Sequence, residues 1–146
     1  MSRHSERAIL AMARIMRCRL DRSEQTLRSL QKDVLTVRDD HESLKIEESA
    51  WYQRKQAWEH KIYDTSHMLG KDGECRRVGG EMIKQMDSHL AKVAQRRRLA
   101  ASSLQIVEDK CSAQRMAILN EKRRRDALMA RAKDMRRRRR IQAEED

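Results

Sequence analysis

The chain has 146 residues, of which 34 are Lys or Arg and 23 are Asp or Glu, a formal net charge of +11. Charged residues make up 39% and hydrophobic ones 38%, proline and phenylalanine are absent, and the aromatics are two Trp and two Tyr. A βαβ or sandwich domain needs Gly and Pro punctuation and more β-branched and aromatic residues than these, so the composition leaves long helix, coiled coil or disorder, and the periodic recurrence of Leu, Ile, Val and Met set out below argues against disorder.

The first segment carries Arg3, Arg7, Arg14, Arg17 and Arg19, as a mitochondrial presequence would, but its amphipathic pattern continues past residue 20, so it reads as mature protein. The longest apolar run, Ala8–Ala13, is six residues, against the roughly 20 needed to cross a bilayer. No transmembrane segment is expected. From Ile9 to Ile62, alternating four- and three-residue steps visit sixteen positions, twelve of them apolar; the exceptions are Ser23, His41, Glu48 and Lys55. This pattern predicts a first helix over about residues 4–69.

All four glycines, Gly70, Gly73, Gly79 and Gly80, fall within eleven residues near the middle of the chain. Glycine costs about 1 kcal/mol inside a helix and supplies the left-handed conformation that ends one, so a turn is predicted over about 70–80. From Ile83 to Met135 the same stepping visits sixteen further positions, twelve of them apolar or Cys, interrupted by Arg97, Gln114, Glu121 and Arg125. A second helix over about 81–142 follows.

A seven-residue repeat held this long signals a left-handed coiled coil, with arms of about 80 Å each at 1.5 Å per residue. Two such arms around a glycine turn bury their stripes by folding back on each other. The predicted fold is all-α, a single long antiparallel two-helix coiled-coil hairpin over residues 1–146. The preferred register pairs residues whose numbers sum to about 148, placing Arg97 opposite Trp51 with Glu48 one turn away, so that a seam charge meets an aromatic face and a carboxylate. A slip of one heptad would put Leu44 opposite Arg97 instead. Leu10, Ile15, Leu35, Ile46, Tyr52, Leu99, Ile106, Met116, Leu119 and Met129 lie off the seam, and some are expected to meet another protein.

The three cysteines, Cys18, Cys75 and Cys111, and the five histidines are scattered without metal-ligand spacing. No metal, cofactor or disulfide is expected, and the compartment reads as reducing. A two-helix hairpin offers no concave pocket, and no nucleophile, acid/base or phosphate-loop motif is present, so the chain reads as a non-enzyme. Trp51 and Trp58 read as seam packing, Cys75 as an exposed turn thiol, and most methionines as helix filler.

Charge is concentrated at the chain ends. Residues 1–20 hold five Arg and one Glu, and residues 121–146 hold eleven Lys or Arg and six acids, together +9 of the net +11. A hairpin brings these segments together as a basic tip suited to an acidic partner surface. The run Arg136, Arg137, Arg138, Arg139 and Arg140 has two further readings: a solvated helix end favoured by the macrodipole, or a basic arm for nucleic acid. No aromatic stands in the tip to stack on single strands.

A proline-free basic hairpin of this size, ending in EKRRRDALMARAKDMRRRRR over Glu121–Arg140, resembles the FliJ and YscO proteins of flagellar and virulence type III secretion across nearly its whole length. The resemblance implies a central stalk at the cytoplasmic face of the inner membrane. Such a stalk inserts into a hexameric secretion ATPase, touches the export-gate membrane protein and is linked to substrate chaperones. It points to Arg14, Arg17, Arg19, Arg124, Arg125 and Arg131 as ATPase contacts, supported by Arg136–Arg140, with the virulence branch favoured. The alternative is a basic coiled coil that binds nucleic acid or an acidic scaffold through Arg136–Arg140.

Overall fold

The computed structural model describes residues 3–68 and 73–145, which form two helices, α1 (Arg3–Met68) and α2 (Gly73–Glu145). They pack against each other antiparallel, the all-helical hairpin that the repeat predicts. Every predicted seam position of α2 is buried or half-buried, and so is every one of α1 except Trp58. The heptad stripe therefore faces the partner helix, as knobs-into-holes packing requires.

Contacts divide the chain into two compact units, Met1–Asp33 with Val107–Asp146, and Val34–Ile106. In the first, the buried apolar residues are Ala13, Leu20, Cys111, Ile118, Ala132 and Met135. Gln114, a polar seam residue there, donates through Nε2 to the Ser23 carbonyl at 3.0 Å, and Lys122 pairs with Glu24 at 3.3 Å beside the seam. In the second unit Met86 and Val93 are buried, and the seam lysine Lys55 reaches Asp87 at 2.7 Å and Glu59 at 3.8 Å. The hydrogen bond that Lys55 Nζ donates to the Asp87 carboxylate holds the ammonium above its ordinary pKa. Among the described residues no large side chain is fully enclosed, because a helix pair has one seam and no third layer to close over it.

The register differs from the preferred expectation by about one heptad. In the Val34–Ile106 unit, Ile62 meets Gly79, Lys55 meets Asp87, Trp51 meets His89 and Glu48 meets Arg97, pairs whose numbers sum to 140–145 and not to 148. Trp51 is not the partner of Arg97. Its ring stacks on His89 with centroids 4.9 Å apart and an interplanar angle of 7°, and Arg54, three residues along the same helix, lies 5.0 Å from its centroid. A cation from the next turn thus satisfies the indole face. Arg97 Nε sits 2.5 Å from Glu48 Oε2 but off the hydrogen-bond axis, so charge attraction holds that pair.

The glycine cluster is also used differently from the expected turn over 70–80. α2 begins at Gly73, so Gly79 and Gly80 lie inside it; Gly70 falls outside the described residues. Gly79 has a packing reason to be glycine, since a β-carbon there would stand 2.7 Å from Ile62 Cδ1 and 2.8 Å from its Cγ1. The bare backbone lets the Ile62 side chain seat closely on α2. Gly80 has nothing within 4 Å and shows no such constraint.

Candidate functional site: the basic helix pair

The unit formed by residues 1–33 and 107–146 contains 21 Lys and Arg against 12 Asp and Glu, a net +9, whereas the 34–106 unit carries +2. The site candidates all lie in the first. Their positions relative to the seam decide what each can do.

Arg14 and Arg17 each follow a seam residue, Ala13 and Met16, and both are exposed. Together with Arg125 of α2 they line an open groove of about 420 Å³, whose other walls are Leu10, Ala13, Asp126 and Met129. Arg125 is a seam residue, half-buried, with its guanidinium 3.2 Å from Asp126. Arg19, Arg124 and Arg131 each precede a seam residue, Leu20, Arg125 and Ala132, and so occupy the opposite flank of the helix pair. Three of the six candidates are thus brought together in one groove, and the other three share the far side. Among the described residues none offers an ion-pair partner to Arg14, Arg17, Arg19, Arg124 or Arg131.

The arginine run is partly consumed within the molecule. Glu6, only 8% exposed, accepts hydrogen bonds from Arg136 Nε and Arg139 Nη2, and Arg138 pairs with Asp134 at 3.0 Å. Among the described residues Arg137 and Arg140 are the members of the run with no such partner. The macrodipole does not explain the run: α2 continues to Glu145 and its last turn has no basic residue, while the dipole acts only within that turn.

Glu6 is the site residue that the sequence reading missed. Extending each seam by one further step would have found it, since three residues before Ile9 lies Glu6 and four after Met135 lies Arg139. The Arg136 hydrogen bond is the largest influence on the Glu6 carboxyl and lowers its pKa; desolvation opposes it, and Arg139 adds to the lowering. A depressed folded pKa contributes stability that is present above the ordinary value of 4.5 and is lost as pH falls through the folded value. Glu6→Gln should therefore melt below the wild type at neutral pH, with the gap closing in acid. Thermal unfolding followed by circular dichroism from neutral pH to about pH 3 checks this, and a gap independent of pH would refute the assignment.

Among the described residues no three or more His, Cys, Asp or Glu side chains gather where they could hold a metal ion, and no helix is long and apolar enough to cross a membrane. Cys18 is an exposed free thiol and Cys111 a buried one. Comparison with protein-family models, curated proteins and solved structures finds no match to this chain.

Proposed function

We propose that this chain is a non-catalytic central stalk of a type III secretion export apparatus, peripheral at the cytoplasmic face of the inner membrane, whose basic helix pair enters the ring of a hexameric secretion ATPase. There it promotes assembly and hydrolysis and couples the ring to the export-gate membrane protein. Substrate chaperones are further partners under this reading. The observation that carries it is the set of five exposed arginines with no ion-pair partner among the described residues, Arg14, Arg17, Arg19, Arg124 and Arg131, on two flanks of one helix pair. A partner that surrounds the helix pair meets positive charge on both sides. Many rim-type charge contacts of this kind steer and orient an encounter without fixing it rigidly, which suits a part that couples to moving subunits.

The test is the hydrolysis rate and oligomeric state of the candidate ATPase with and without this protein. Arg19, Arg124 and Arg131 are the residues to reverse, because they are exposed and off the seam, whereas Arg125 is half-buried and would perturb the fold as well. The triple change to Glu should keep the helicity and lower stimulation by about tenfold at low salt. Retained stimulation would sink the assignment.

The nucleic-acid alternative relied on all of Arg136–Arg140, and three of those five now have intramolecular carboxylate partners. Arg137 and Arg140 alone would give duplex binding a shallow salt dependence, a log–log slope of about −2. A much steeper slope would favour that alternative.

A further inference from the structure

The groove of the basic unit combines an apolar floor with guanidinium groups. Its apolar part is Leu10, half-buried, and Met129, 47% exposed, both one residue past a seam position and facing each other across the interface. Ala13 between them is 5% exposed, and its small side chain leaves the floor indented. Arg14 and Arg17 stand on the α1 wall, and among the described residues no carboxylate pairs with them. A groove on the other flank, in the 34–106 unit, is lined by residues that precede seam positions, among them Asp40, Glu47, Arg96 and Leu99, so two carboxylates there stand beside a single guanidinium group.

From this we infer that the groove of Leu10, Met129, Arg14, Arg17 and Arg125 is a docking site for an acidic amphipathic helix of a partner protein, which lies between α1 and α2 as a third helix. An incoming apolar stripe at i, i+3/i+4 and i+7 covers Leu10 and Met129, while Asp or Glu beside that stripe meet Arg14 and Arg17. Arg125 stays with Asp126 and shapes the opposite wall. A phosphate chain would use the arginines but not the apolar floor, and a basic helix would be repelled. The inference names the partner chemistry of this same basic end and rests on the protein-docking reading of it.

The experiment titrates the full chain at moderate salt with a fluorescent synthetic helix bearing a leucine stripe flanked by Glu. Beside it run a scrambled peptide of the same composition, a Lys-flanked version of the stripe, and a DNA duplex. The Glu-flanked helix should bind at least about tenfold more tightly than either control peptide. Arg14→Glu with Arg17→Glu, and separately Leu10→Ser with Met129→Ser, should each weaken it by about tenfold or more, whereas Arg76→Glu with Arg77→Glu should not. Binding of the scrambled peptide as tight as the patterned one, or indifference to Leu10→Ser with Met129→Ser, would overturn the groove in favour of diffuse attraction. Duplex binding that depends on Arg14 and Arg17 and exceeds peptide binding would overturn it in favour of phosphate. ATPase stimulation that survives when helix binding is lost would reject this groove as the docking mode and leave the stalk standing; helix binding without any stimulation would do the reverse.

Discussion

Leu20→Ala is expected to lower the unfolding free energy by about 2–5 kcal/mol, the range for truncating a well-packed leucine. Leu20 is 2% exposed, the most enclosed large side chain of the 1–33 and 107–146 unit, and it sits in a layer where only two helices supply atoms. With no third element to collapse onto the space, little of the lost contact can be recovered. Urea unfolding monitored by far-ultraviolet circular dichroism measures the loss. Leu99→Ala serves as the control, because Leu99 is 62% exposed and its truncation should stay within about 0.5 kcal/mol. Equal costs at the two positions would show that the seam assignment fails.

The opposite sign is expected across the same layer. A register near 141 sets Glu121 of α2 against Leu20, and the Oε2 atom of Glu121 is buried without a hydrogen-bond partner. An acceptor removed from water and left unpaired costs about 1–3 kcal/mol, more when charged. Glu121→Leu ends that penalty and extends the apolar seam, so it should raise stability by about 1–3 kcal/mol in the same urea assay. A loss of stability would mean that the carboxylate has a structural partner in solution and would refute the reading. Because Leu20 and Glu121 share a layer, their combined effect should depart from additivity, which a double-mutant cycle would register.

The sequence made the helices and the buried stripe legible, since seam membership depends only on spacing along one helix. Slip between the helices was not legible in the same way. Sliding one helix by seven residues keeps every a position facing a d position, so the repeat itself scores both registers alike. The choice then falls to single contacts. A cation–π contact could pair Trp51 with Arg97, but Arg54 is nearer along the chain and His89 supplies the stack. Gly79, which packs against Ile62, is in a linear reading indistinguishable from a turn glycine. The same limit applies to the basic end. Composition located the arginines, whereas only geometry separates those on Glu6 and Asp134 from those left free.

The thiol placement gives the molecule a built-in measure of its own breathing. Cys111 is 5% exposed on the seam, and Cys18 in the same unit lies in the open. An alkylating reagent reaches Cys18 directly but reaches Cys111 only when α1 and α2 part locally, so the ratio of the two rates, followed over time, gives the opening equilibrium of that stretch. The unit that holds most of the arginines thereby carries a native pair of thiols that times how often its two helices separate.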